Sequence, residues 1–194
     1  LGIREFWPAR HGGKPIEQLG AAIADGRGAN APDIALCLKE LGYAVAMFRD
    51  SDRPLSEDVK ASLQHNHIEV FEYGEDLHME HALFLAADDS QVQALLEFAR
   101  VEKSLDKVNQ KCRDKLVEVP YQVIAADFDH WADHTEHQPH ELRLAIGAVA
   151  AADSWYKEQS IGRDLAPLAW KIAQGAPDSA LARTLAQAET WLYA

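Results

Sequence analysis

Short apolar runs alternate with stretches of helical spacing over the first part of the chain. Residues 3 to 19 carry helical spacing that is broken by His11-Gly12-Gly13 and two prolines. Ala21 to Ala24 predicts a short strand that ends in the small-residue turn Asp25-Gly26-Arg27-Gly28-Ala29-Asn30. Pro32 then opens a helix with Ile34, Leu36, Leu38 and Leu41 as its apolar positions, and Gly42 stops it. Tyr43 to Phe48 is apolar without interruption, the pattern of a parallel strand buried on both faces. Ser56, with Glu57 and Asp58 behind it, suits the start of a helix that runs to about Gln64. Ile68 to Tyr73 alternates apolar and acidic residues, as a strand with one wetter face does. The order strand, helix, strand, helix, strand predicts an α/β fold with a mainly parallel sheet and crossover helices.

After Gly74 the pattern changes to helices. Asp76 to Phe84 starts one, and residues 90 to 116 read as a single charged amphipathic helix. A strand is expected nowhere in this part except over Val117 to Ile124. His130 to Arg143 is a His-rich, acidic connection into an Ala-rich helix, and Pro167 and Pro177 punctuate the tail. The expected division is an α/β domain over 1–85 and a helical domain over 86–194.

Composition narrows the function classes. The chain has 194 residues, 47% of them hydrophobic and 26% charged, which is a globular balance. No run reaches the ~18 apolar residues of a membrane span, and no signal peptide stands at the start. The two cysteines, Cys37 and Cys112, lie far apart and outside any CxxC spacing, so a cytoplasmic protein with free thiols is expected. A net charge of -12 argues against a general polyanion-binding surface. Nucleic acid would have to be gripped through metal ions, a local basic patch or another domain.

The candidate chemistry starts at the end of the Tyr43–Phe48 strand. Asp50 and Asp52 flank Ser51, and residues two apart on an extended segment point the same way. At the carboxyl end of a parallel strand both carboxylates would face the crevice where α/β proteins bind ligands. Two such charges repel unless a cation sits between them, and Mg²⁺ favours a few carboxylate oxygens plus water. An acidic strand-to-turn junction is the plainer alternative, since Asp, Ser and Pro54 all form turns. Glu80, just past the next strand, is the obvious third carboxylate, although a helix first turn also favours one. His130 and His134 have i, i+4 spacing, with His137 and His140 close behind. With no cysteine near and Pro139 breaking the segment, a solvated linker is expected there rather than a zinc site. Trp155-Tyr156 reads as core packing, and Lys157 beside it as a solvated end or a cation aimed into the acidic cleft.

Taken together, Ala22-Ile-Ala-Asp-Gly-Arg-Gly, Glu40-Leu-Gly-Tyr and Ala46-Met-Phe-Arg-Asp-Ser-Asp-Arg-Pro resemble a Toprim domain. Val70-Phe-Glu-Tyr-Gly-Glu-Asp-Leu-His-Met-Glu-His-Ala-Leu-Phe and the tail Trp155-Tyr-Lys, followed by a Gly-containing turn, are similar to segments of the OLD (overcoming lysogenization defect) family. The Asp-Ser-Asp block with its flanks is the specific part. The resemblance covers most of the chain and is diffuse between 86 and 140. It implies a Toprim-like (Rossmann-like) sheet with flanking helices, followed by a mostly helical domain. It also implies a metal-dependent DNA endonuclease acting in phage defence, driven by an N-terminal ABC-type ATPase domain and able to pair as a homodimer. Asp50 and Asp52 would be metal ligands, with an oxygen from Ser51, and Glu80 would hold the second of two Mg²⁺ or Mn²⁺ ions. Lys157 would be the catalytic lysine, and Asp25 falls in the family's small-residue loop with the least defined role.

The pattern departs from the family at its start. Toprim domains carry a glutamate after their first strand in a Glu-Gly-x-x-Glu pattern, and Glu5 and Glu17 sit in no such pattern. Leu1-Gly2-Ile3 stands where the following helix is expected, so the first strand is expected ahead of it or missing from this version, with weak metal binding as the result. Two alternatives follow. One is a haloacid-dehalogenase-like phosphatase with Asp50 as nucleophile and Asp52 as acid/base, although Arg53-Pro54 departs from that pattern. The other is a degenerate Toprim module that dimerises or regulates.

Overall fold

The computed structural model describes residues 12, 14–74, 76–115, 137–157 and 159–193. Glu5, the Val117–Ile124 strand expectation and the His130/His134 pair lie outside the described residues. Within them the chain is mostly helical, with one two-stranded parallel sheet.

Helix α1 (Ala31–Glu40) has Pro32 in its first turn, as its sequence predicts, and packs on strand β1 (Ala46–Arg49). Helix α2 (Glu57–His65) follows, with Ser56 Oγ accepting the Val59 main-chain N–H at 3.4 Å. Strand β2 (Glu69–Glu72) returns parallel to β1, pairing Met47 with Val70 and Phe48 with Phe71. Two parallel strands joined through a helix form one crossover unit. Its small core is Ala35, Val45, Met47, Leu63 and Ile68.

Three expectations for this part need correction. Ala21 to Ala24 is not a strand: residues 21–27 are irregular, because so short a run finds no neighbour to pair with among the described residues. The Tyr43–Phe48 strand is shorter than expected, and it is not buried on both faces. Phe48 is 36% exposed, since a two-stranded sheet leaves a side chain only its neighbours on one face, here Phe71 and Tyr73.

The larger core belongs to the helices. It gathers around α3 (Met79–Ala86), which contributes Ala82, Leu83, Phe84 and Ala86. Burying a Leu or Phe there stabilises by about 1.5–3 kcal/mol each. Helix α4 (Asp89–Lys103) is capped reciprocally: Asp88 Oδ1 accepts the Gln91 N–H, and Gln91 Oε1 accepts the Asp88 N–H. It is followed by α5 (Leu105–Lys115), α6 (Pro139–Ala152), α7 (Gln159–Gly175) and α8 (Ala180–Leu192). Helices α6, α7 and α8 all pack on α3, and α8 also reaches β2, where Thr184 Oγ1 donates to Glu72 O at 2.8 Å. Tyr73 and residues 82–84 are thus packed with residues 142–185, although the division expected at 86 puts them in the first domain.

Three details of the helical part also differ from expectation. The helix expected over 90–116 is two helices, broken at Ser104 with φ 79°, a left-handed backbone that no helix continues through. Pro167 does not end a helix but lies inside α7. Burial of Leu165, Ala166, Trp170, Ile172 and Ala173 along that helix outweighs the ~3 kcal/mol that an interior proline costs. Gly162 likewise sits in α7 rather than in a turn; the turn after α6 falls at residues 153–156, where Ser154 has φ 55°.

Candidate metal centre

The carboxyl end of β1 and the start of α3 meet at one place. Ser51, 7% exposed, clasps the segment before α3. Its N–H donates to Leu77 O at 3.0 Å, its Oγ donates to the same oxygen at 3.1 Å, and the Leu77 N–H donates to Oγ at 3.0 Å. Asp50 Oδ1 then accepts the N–H of Met79, the first residue of α3, at 2.8 Å. Beyond Asp52, the Arg49 guanidinium donates to Arg53 O and pairs with Glu72 Oε1 at 2.5 Å, fixing the far side of the loop.

These contacts deliver three donor groups to one spot. One carboxylate oxygen each from Asp50 and Asp52 and one ring nitrogen of His78 lie within 4.8 Å of one another. His78 Nδ1 is 3.9 Å from Asp50 Oδ2, and Nε2 is 3.7 Å from Asp52 Oδ2. All three side chains are partly exposed, so an ion and its waters can reach them. Cis ligands of an octahedral ion at about 2.1 Å lie about 3 Å apart, so a small closing movement would complete the set.

Glu80 lies behind them and is 1% exposed. Burial raises its carboxyl above the ordinary carboxylate range. Its own main-chain N–H works against burial, Asp50 adds to the rise, and Lys157 and His78 oppose it. Asp50 and Lys157 thus each lie within electrostatic reach of Glu80. Tyr73 is raised well above its ordinary value by burial, then by Asp50 and Glu80, and Tyr156 by burial, then by Glu80 and Cys112. Both phenols are therefore neutral walls of this corner. Tyr156 also donates its hydroxyl proton to Leu95 O at 2.8 Å, which holds the turn that carries the exposed Lys157.

Of the residues singled out in the sequence, Asp50 and Asp52 converge with Glu80 close behind, and Ser51 is drawn inward as a clasp rather than presented as a donor. Lys157 reaches the group only through its charge on Glu80. Asp25 stands apart: it is exposed, and its Oδ1 accepts the Arg27 N–H at 2.9 Å in a local turn. His78 was missed by sequence reasoning. Its only signal was a place two residues before Glu80, at the entry to a helix. Its neighbour His81 stacks on it at 5.3 Å and accepts the His78 main-chain N–H at Nδ1. Burial, then the His78 ring, hold His81 below the ordinary imidazole value, against the pull of Asp50 and Asp52.

No family model, no curated protein and no solved structure matches the chain.

Proposed function

We propose that this chain is a metal-dependent phosphodiesterase module, the Toprim-like nuclease region of an OLD-like endonuclease that cleaves DNA. The observation that supports it most is the buried Glu80 beside Asp50, behind two aspartates at the end of a parallel strand. Two divalent ions, Mg²⁺ or Mn²⁺, would be held there by Asp50, Asp52 and Glu80, and would supply an activated water and a stabilised leaving oxygen. The donor chemistry fits, because carboxylates that repel one another and a buried carboxylate without an ion-pair partner among the described residues both gain from a cation. Lys157 would stabilise charge that develops on a phosphate oxygen. DNA held through an ATPase domain as well as through metal is consistent with the net charge of -12.

The test is calorimetric titration of Mg²⁺ and Mn²⁺ into the chain, its Asp50→Ala and its Glu80→Ala variants, followed by plasmid cleavage in the same ions. Binding lost in both variants, with nicked or linear plasmid formed only by the parent, is the expected result. Turnover of small phosphomonoesters with a trapped aspartyl-phosphate would replace the nuclease by the phosphatase alternative. Absence of both metal binding and cleavage would leave a degenerate, non-catalytic module.

A further inference from the structure

The proposed nuclease site calls for carboxylate oxygens, yet the donor set at the strand end contains an imidazole. The main chain delivers that ring from a pinned position. Residue 78 lies between Leu77, clasped by Ser51, and Met79, whose N–H is held by Asp50. Its two nitrogens face different carboxylates, Nδ1 toward Asp50 and Nε2 toward Asp52. The stack on His81 restrains the ring further.

A second observation points to a cation here. Glu80, two residues on from His78, is 1% exposed and forms no side-chain ion pair among the described residues. Lys157 influences it from an exposed position without pairing. A buried carboxyl in that position is relieved either by taking a proton or by a cation, and the strand-end donors a few residues away offer the second.

We propose that Asp50, Asp52 and His78 form a mixed oxygen–nitrogen site for a divalent first-row transition ion, and that His78 makes the site prefer Co²⁺ and Mn²⁺ to Mg²⁺. Mg²⁺ is hard, dehydrates reluctantly and gains little from imidazole. Transition ions gain from a nitrogen ligand in the order Mn²⁺ below Co²⁺. The inference rests on the metal-dependent reading above and narrows it to the ion that the strand-end position selects.

The test uses the whole chain with Mg²⁺, Mn²⁺ and Co²⁺ as probes. Calorimetry is expected to rank them Co²⁺, Mn²⁺, Mg²⁺, with about a tenfold or larger spread from Co²⁺ to Mg²⁺. Pulsed electron paramagnetic resonance of the Mn²⁺ form is expected to show nitrogen modulation from one imidazole. His78→Gln should remove that modulation and shrink the spread to about threefold, while Mg²⁺ affinity stays within about twofold. Asp50→Asn should remove the same modulation together with the bound ion, which ties nitrogen and carboxylate to one site, while loss in His78→Gln with the ion still bound excludes the other histidines. Metal binding with no preference, or with modulation that survives both substitutions, overturns the role of His78 and leaves the metal-dependent reading standing. No binding of any of the three ions overturns both.

Discussion

Asp50 Oδ1 accepts the main-chain N–H of Met79 at 2.8 Å across a sequence separation of 29 residues, so the end of β1 caps the helix that carries Glu80. One carboxylate oxygen is thereby committed to structure, and Oδ2 faces His78. The cap and the proposed ligand role can be separated by substitution. Asp50→Ala is expected to cost about 1 kcal/mol in a chelator, the usual loss of a helix cap. Asp50→Asn keeps an acceptor and should unfold within about 0.5 kcal/mol of the parent, yet lose divalent-ion binding as fully as the alanine variant. Denaturant unfolding with and without Mn²⁺ checks both; equal destabilisation by the two variants would deny the cap.

Gly147 sets how closely α6 crosses the site helix. A Cβ there would stand 2.8 Å from His81 Cα and 3.2 Å from His81 N, both main-chain atoms that cannot swing aside. Gly147→Ala is therefore expected to cost about 1–3 kcal/mol as the helices part. Because His78 and Glu80 ride on the same helix start, metal affinity should fall along with stability. A variant as stable and as tightly binding as the parent would show that the crossing has slack.

Lys157 is exposed and acts on Glu80 only through charge. Lys157→Ala should leave unfolding and metal binding nearly unchanged while plasmid cleavage falls by roughly 10²–10³, the scale of losing one group that stabilises transition-state charge. Cleavage at the parental rate would remove Lys157 from the proposed mechanism.

The two thiols are expected to differ sharply. Cys37 is exposed, whereas burial pushes the Cys112 thiol from 9.0 up to about 12. A thiol-specific chromogenic reagent near pH 8 should count one reactive group in the native chain and the second only after denaturation. Since the folded value is raised, the contribution of protonated Cys112 to stability is fully present below pH 9.0 and is lost as pH rises through about 12. Cys112→Ala should flatten that alkaline decline. Two fast thiols in the native chain would contradict the burial.

Several features were legible in the residue order because their causes are local. Ser56 before Glu57 and Asp58 marks a helix start, Pro32 suits a first helical turn, and Gly42 follows the end of α1; each signal acts within a turn of its own position. The Asp50–Ser51–Asp52 block was legible for the same reason, since alternation along an extended segment is local. Contacts across the chain decided the rest. Phe48 is half open because few strands pair beside it, and Pro167 stays helical because its neighbours are buried. His78 joins the aspartates only because Ser51 clasps Leu77, and the charge of Lys157 reaches Glu80 only because α3 is packed by later helices. A spacing of a few residues fixes which way neighbouring side chains point. Whether a distant imidazole or ammonium arrives beside them depends on pairing and packing free energies summed over the whole fold, which no local stretch contains.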